Sequence, residues 1–148
     1  MVAWAIAAEE AGWDGVFLWD HVQWDGARPV LDPWVVLGAI AVRTERVTLG
    51  PLVTPLSRRR PHTVAKQLAT LDHLSAGRAV LGVGYGWNLD EMADHGVPPG
   101  RRRTMLREYL EAMRALWRED EAEYHGQFVD FGPSWAWPKT ARPSGPRT

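Results

Sequence analysis

The stretch Ala79–Asn88, AVLGVGYGWN, constrains this chain more than any other. Side chains alternate along an extended backbone. As a strand it therefore puts Val80, Gly82, Gly84 and Gly86 on one face and Leu81, Val83, Tyr85 and Trp87 on the other. A face of glycines has almost no side chains, so a neighbouring backbone or a flat ring can come close to it. Asn88 then opens a helical turn with Glu91 three residues on, the pattern of a capping box. A strand that runs straight into a helix N-terminus is where α/β proteins usually place ligand chemistry. The glycines also suit a plainer role, the relief of crowding inside a small barrel, and spacing alone leaves both readings open. The stretch is not a dinucleotide fingerprint: Gly82 and Gly84 fit its first two glycines, but Trp87 stands where the third is needed.

The rest of the chain sets a rhythm around this strand. Met1–Ala11 reads as a helix that Gly12 ends, and Asp14-Gly15 as a turn. Val16–Trp19 is a short strand, and Asp20–Leu31 a loop. Asp32 caps a second helix with Pro33 in its first turn, running to about Arg43. Val47–Thr54 is a strand distorted at Pro51, which cannot donate to a ladder. Pro61–Ser75 is a helix closed by Ala76-Gly77. Asp90–Gly100 is a loop with room for one helical turn. Arg101–Arg118 is the longest helix, with Leu106, Leu110, Met113 and Trp117 on one stripe. Glu123–Phe131 is an extended pair around Gly126, and PKTARPSGPRT is a proline-rich linker. Strict alternation of strand and helix predicts parallel strands with helical crossovers. With so few strands, the chain reads as one incomplete α/β domain over residues 1–148, a piece of a larger sheet or barrel.

Composition narrows the partners. The net charge of −1 gives no field that favours nucleic acid or an anionic membrane. No cysteine is present, which removes disulfides and thiolate metal sites and fits a cytoplasmic location. The apolar run Val2–Ala8 is too short to span a bilayer. Of the nine tryptophans, Trp24, Trp87 and Trp137 fall in loops, where a packed core does not require them.

In a parallel arrangement the endings Trp19-Asp20-His21, Val53-Thr54-Pro55 and Tyr85-Gly86-Trp87-Asn88 share one rim, where a single ligand can touch all three. Asp20-His21 is the most suggestive pair. An imidazole titrates near neutrality, and the adjacent acid can accept a hydrogen bond from a ligand. The plain alternative is that Asp20 stabilises a turn and His21 is an ordinary loop residue. Arg58–Arg60 and Arg101–Arg103 are either solvated charge or holders of a phosphate or carboxylate tail. His62, His73, His95 and His125 show no metal spacing.

The blocks AEEAGWDGVFLWDH, DPWVVLGAIAVRTERVTLG, VTPLSRRRPHTVAKQLATLDHLSAGRAVLGVGYGWN and RRRTMLREYLEAMRALW, in this order, resemble the N-terminal half of luciferase-like monooxygenases. Within that superfamily they are most similar to oxidoreductases that use the deazaflavin F420. The resemblance covers Met1 to about Lys139. It implies a partial (β/α)8 TIM barrel holding parallel strands two to four with their helices, and F420, or alternatively FMN, at the C-terminal rim. It implies that Asp20 and His21 lie beside the cofactor ring, with His21 in a catalytic role. It implies a bulge between Gly50 and Val53, often with a non-prolyl cis peptide, so that Leu52, Val53 and Thr54 contact the cofactor. Tyr85 and Gly86, with Asp90, would contact the ribityl or phosphate part. Trp24 and Trp87 would line the substrate pocket.

Two departures stand out. Trp87 occupies the place where some F420 dehydrogenases carry an acid–base glutamate, and Asp90 replaces an amide found in some relatives. The resemblance implies hydride transfer between the (deaza)flavin and a small organic substrate, by a homo-oligomer. The alternative is a truncated non-catalytic half-barrel that dimerises or binds a partner through open sheet edges. In it Val16, Leu49 and Val80 would face the barrel interior and lose partners. An open nucleotide-binding sheet is disfavoured, because Asp20-His21 follows the first strand where phosphate-binding glycines belong.

Overall fold

The computed structural model describes residues 1–24 and 28–142. Helix α1 (Val2–Glu10) leads through Gly12, at φ +85°, into β1 (Gly15–Leu18). The Asp32 carboxylate accepts from the Val35 N–H at 3.0 Å and starts α2 (Pro33–Ala41), with Pro33 in its first turn where no N–H is needed. Strand β2 (Thr48–Pro51) stops at its proline, a cis peptide joins Leu52 to Val53, and pairing resumes in β3 (Thr54–Pro55). A 3-10 turn (Leu56–Arg58) leads to α3 (Pro61–Leu74), which ends in two positive-φ residues, Ala76 and Gly77.

The central strand is pinned at both ends. Leu49 bridges Ala79 in parallel, and β4 (Val83–Gly84) pairs β3. With β1 parallel to β2, the three extended segments lie side by side and run in one direction, as the alternation predicts. After β4 come α4 (Leu89–Asp94), a 3-10 turn (Pro99–Arg101) and α5 (Arg102–Arg118). The antiparallel pair β5 (Ala122–His125) and β6 (Asp130–Ser134) closes the described fold.

The core lies between the sheet and helices α1, α2, α3 and α5. Leu49, Ala79 and Leu81 from the sheet meet Leu37, Ile40, Val64, Leu68, Met113 and Trp117, all buried. This corrects one expectation. Val16 and Leu49 face the helices, not the opposite side; Val16 packs against the core and Leu49 is fully buried in it. Period-two alternation sorts residues into two sets but does not say which set meets the helices. The opposite face carries Gly50, whose missing Cβ would stand 1.8 Å from the Val80 carbonyl oxygen, and half-buried Val80. The glycines of the central strand serve the same close approach, since a Cβ on Gly82 would meet Leu52 Cδ1 and the Pro51 carbonyl at 2.8 Å. The crowding-relief reading therefore accounts for Gly82.

Two polar locks hold the end of the sheet away from the rim. The Glu9 carboxylate accepts from the N–H groups of Glu45 (3.0 Å), Arg46 (2.6 Å) and Val47 (2.8 Å). The Arg78 guanidinium donates to the carbonyls of Ala41, Thr44, Val47 and Ser75 at 2.7–2.9 Å. The segment predicted as a linker is anchored as far as it is described. Lys139 donates to the Leu116 and Glu119 carbonyls, and the Ala141 N–H donates to buried Asp72 at 2.8 Å. The linker's residues 143–148 lie outside the described residues. Among the described residues no helix is long and apolar enough to cross a membrane.

Candidate active site

The three strand endings open onto one hollow of about 410 Å³. Its walls are Trp19, Asp20, His21 and Trp24 from the loop after β1, Leu52, Val53 and Pro55 around the break between β2 and β3, and Gly84–Trp87 with Glu91 after β4. The common rim expected from the alternation is thus present. Of the predicted site residues, Asp20, His21, Trp24, Leu52, Val53, Tyr85, Gly86 and Trp87 line it. Thr54 and Asp90 do not. Thr54 is fully buried beneath the rim, its N–H donating to Gly82 and its hydroxyl lacking a partner among the described residues. Asp90 is exposed in the first turn of α4.

Asp20 is 1% exposed and heavily neutralised. Arg59 grips it with two bonds, Nε to Oδ2 at 2.7 Å and Nη2 to Oδ1 at 2.5 Å, and Arg58 Nη2 lies 3.3 Å from Oδ1. Arg58 also donates to the Asp20 carbonyl at 2.5 Å. Arg58 and Arg59 are therefore engaged as counterions of a buried carboxylate, rather than held out for a ligand's anionic tail. Arg102 and Arg103 lie over the Tyr85 ring, at 5.4 and 5.5 Å from its centroid, and Arg102 donates to the Gly86 carbonyl.

The sequence pattern makes Glu91 only half of a capping box. Half of that box forms: Asn88 Oδ1 accepts from the Glu91 N–H at 3.1 Å. The Glu91 side chain turns elsewhere. Its Oε2 stands 2.9 Å from His21 Nδ1, its Oε1 accepts from the Val22 N–H at 2.8 Å, and Arg58 Nη1 is 3.8 Å away. Burial pushes the Glu91 carboxyl upward. The Val22 N–H, His21 and Arg58 together outweigh it and hold the group below its ordinary value, so it is an anion. A usable signal was in the sequence: side chains in the first turn of a helix tilt back toward its N-terminus, here toward the strand endings.

Aromatic rings close the hollow. His21 sits edge-on to Trp19 (5.2 Å), Trp24 (5.3 Å) and Trp87 (6.0 Å), and Trp19 packs on Trp24 at 4.5 Å. Gly86 has φ +84°, and a Cβ there would meet Met92 Sδ at 2.5 Å, so only glycine fits this corner. A larger hollow of about 810 Å³ lies between α3, α5 and the β5–β6 segment. Arg60 borders it, but none of the residues assigned to the cofactor ring or the substrate pocket does. The smaller hollow, at the ends of the parallel strands, is the chemically equipped one.

This arrangement has close counterparts. A protein of Mycobacterium tuberculosis described as uncharacterized is 64% identical over 116 residues, which cover 78% of this chain and 41% of that protein. An F420-dependent glucose-6-phosphate dehydrogenase of Beutenbergia cavernae is 41% identical over 136 residues, covering 86% of this chain and 40% of the enzyme. The chain thus spans about two fifths of the length of these relatives. Among solved structures, a monooxygenase from Streptomyces bottropensis superposes with a TM-score of 0.91 at 32% identity, over 99% of this chain and 44% of that one. An F420-dependent secondary alcohol dehydrogenase, solved with an F420–acetone adduct, superposes with a TM-score of 0.84 at 28% identity, over 94% and 44%. The profile of the luciferase-like monooxygenases matches residues 1–146, and with the parallel strands, their shared rim and these relatives it shows that the chain belongs to that family.

Proposed function

We infer that this chain forms the cofactor side of an F420-dependent oxidoreductase, built as strands two to four of a (β/α)8 barrel. The observation that carries this is the hollow at the shared strand ends, walled by indoles and aliphatic side chains around a single imidazole. Its volume lies within the range of about 300–1,000 Å³ found for small-molecule sites. Flat apolar walls with few polar groups suit a fused heteroaromatic ring. Trp19, Trp24, Leu52 and Val53 would hold such a ring by contact, and Tyr85 and Gly86 would flank its side chain. When bound, the deazaflavin supplies the carbon that accepts or gives a hydride. His21 would hold or move a proton on the substrate, a small organic molecule, with Trp87 screening the site from water.

The dehydrogenase of Beutenbergia cavernae favours F420 over FMN. FMN stands as the alternative, since the same flat apolar walls would also suit an isoalloxazine ring. The reading is tested by titrating the purified chain with F420 and, separately, with FMN, following cofactor fluorescence. Saturable binding of F420 supports it. No change with either cofactor overturns it.

A second reading rests on the face opposite the helices. Phe17 on that face, and Leu52, Val53, Tyr85 and Trp87 at the rim beside it, are 40–69% exposed. A non-catalytic half-barrel would cover this face by self-association. Light scattering after size exclusion separates the two: a compact monomer that binds F420 removes the second reading.

A further inference from the structure

The loop after β1 and the first turn of α4 are joined by a buried carboxylate that the proposed chemistry does not use. Glu91 is 2% exposed, and its two oxygens are divided between two donors, the Val22 N–H on Oε1 and the His21 ring on Oε2. A carboxylate anion has no hydrogen to give, so the ring nitrogen facing it must carry one. That nitrogen is Nδ1. In the neutral imidazole the hydrogen then cannot also sit on Nε2.

We propose that Glu91 is a positioning residue which fixes His21 as the Nδ1–H tautomer, so that Nε2 is left as a proton acceptor for a substrate hydroxyl or similar acidic hydrogen. The inference rests on the reading of His21 as the proton-handling residue of the hollow. Three features of the site make the selection firm. Indoles on three sides limit ring rotation, as Trp19, Trp24 and Trp87 all lie within about 6 Å of the imidazole. Arg58 stands between Asp20 and Glu91, with one guanidinium nitrogen toward each carboxylate, and so fixes where the Glu91 carboxylate sits. The Val22 N–H holds Oε1 and so orients the carboxylate with Oε2 toward the ring. The selection matches Nε2 to a substrate that loses a proton as hydride departs, such as an alcohol.

The isosteric Glu91→Gln variant gives a sign reversal. The Val22 N–H still needs an acceptor, so the amide oxygen turns to it and the amide NH2 faces Nδ1. That nitrogen must now accept, and the hydrogen moves to Nε2. Long-range 1H–15N correlation spectra of the neutral imidazole, recorded on the cofactor-free chain, read the tautomer directly. The expected result is Nδ1–H in the wild-type chain and Nε2–H in Glu91→Gln. A wild-type Nε2–H signal, or an unchanged tautomer in a folded Glu91→Gln variant, overturns the proposal. If Glu91→Gln does not fold, the wild-type spectrum alone decides.

The second arm is kinetic. Oxidation of a small secondary alcohol by the F420-loaded protein should slow on the order of 10²-fold in Glu91→Gln, with the affinity for F420 little changed. A loss of F420 affinity in Glu91→Gln as large as its loss of rate would point to a purely structural latch and overturn the assignment. Failure of the wild-type chain to bind F420 would strike the proposed function and leave the tautomer result standing.

Discussion

Arg59 meets Asp20 as a two-pronged pair, Nε on Oδ2 and Nη2 on Oδ1, across 39 residues of sequence. With Arg58 on the same carboxylate, three charges are concentrated beneath the floor of the hollow. Removing one member of such a cluster leaves its partners buried and unmatched. Asp20→Ala is expected to cost about 3–5 kcal/mol in urea unfolding. Asp20→Asn, which keeps an acceptor oxygen for Arg59, should cost clearly less. Equal losses would mean that the charge of Asp20 does all the holding and its geometry none.

Glycines at two positions make opposite predictions. At Gly50 a methyl group would stand 1.8 Å from the Val80 carbonyl, and the strands would have to separate. Gly50→Ala should lose more than about 4 kcal/mol or fail to fold. Gly38, inside α2, has nothing within 4 Å of its would-be Cβ. Gly38→Ala should therefore gain about 0.5–1 kcal/mol, because alanine loses less backbone freedom in a helix. Thermal melts of the two variants check both signs.

Acid should act through Glu9. Three backbone N–H donors hold its carboxyl down at about 2, against an ordinary value of 4.5. A depressed folded value contributes stability that is present above 4.5 and is lost as the pH falls toward 2. Glu9→Gln should melt at a lower temperature than the wild-type chain near neutrality. The gap should narrow as the pH drops through that window, and a gap that stays constant would sever the link to Glu9.

Arg78 serves as the second anchor at the same end of the sheet. Its guanidinium satisfies four carbonyls from α2, the start of β2 and the end of α3. Burial lowers its basicity, while Glu9 and Glu45 act against that shift. Lysine carries the charge but not the planar fork, so Arg78→Lys should still lose about 2–4 kcal/mol. Denaturant unfolding at neutral pH reads this directly.

Local chemistry made much of the fold legible. Asp32-Pro33 started α2, Gly12 and Gly77 closed helices, and Pro51 broke a strand, each through a rule confined to a few neighbouring residues. Strict alternation was enough to set the three strand endings on one rim. What escaped were choices of partner made over long spans. Whether Arg58 reaches for a ligand or for Asp20 is settled 38 residues away, and Glu91's preference for His21 over its own helix cap 70 residues away. The face taken by Val16 and Leu49 escaped for a related reason: a two-residue period has no preferred side until the helices are in place. Buried Glu108 in α5 belongs with these, its carboxylate accepting from the Phe128 N–H at 2.8 Å.

The indole cluster around His21 has an optical consequence. Trp19 and Trp24 lie 4.5 Å apart, and Trp24 and Trp87 6.5 Å apart. At such spacings electronic excitation passes between the rings far faster than any of them emits. Any chromophore that slides into their midst and absorbs where indoles radiate becomes the sink for that light, so the molecule comes with a built-in gauge of whether its hollow is filled.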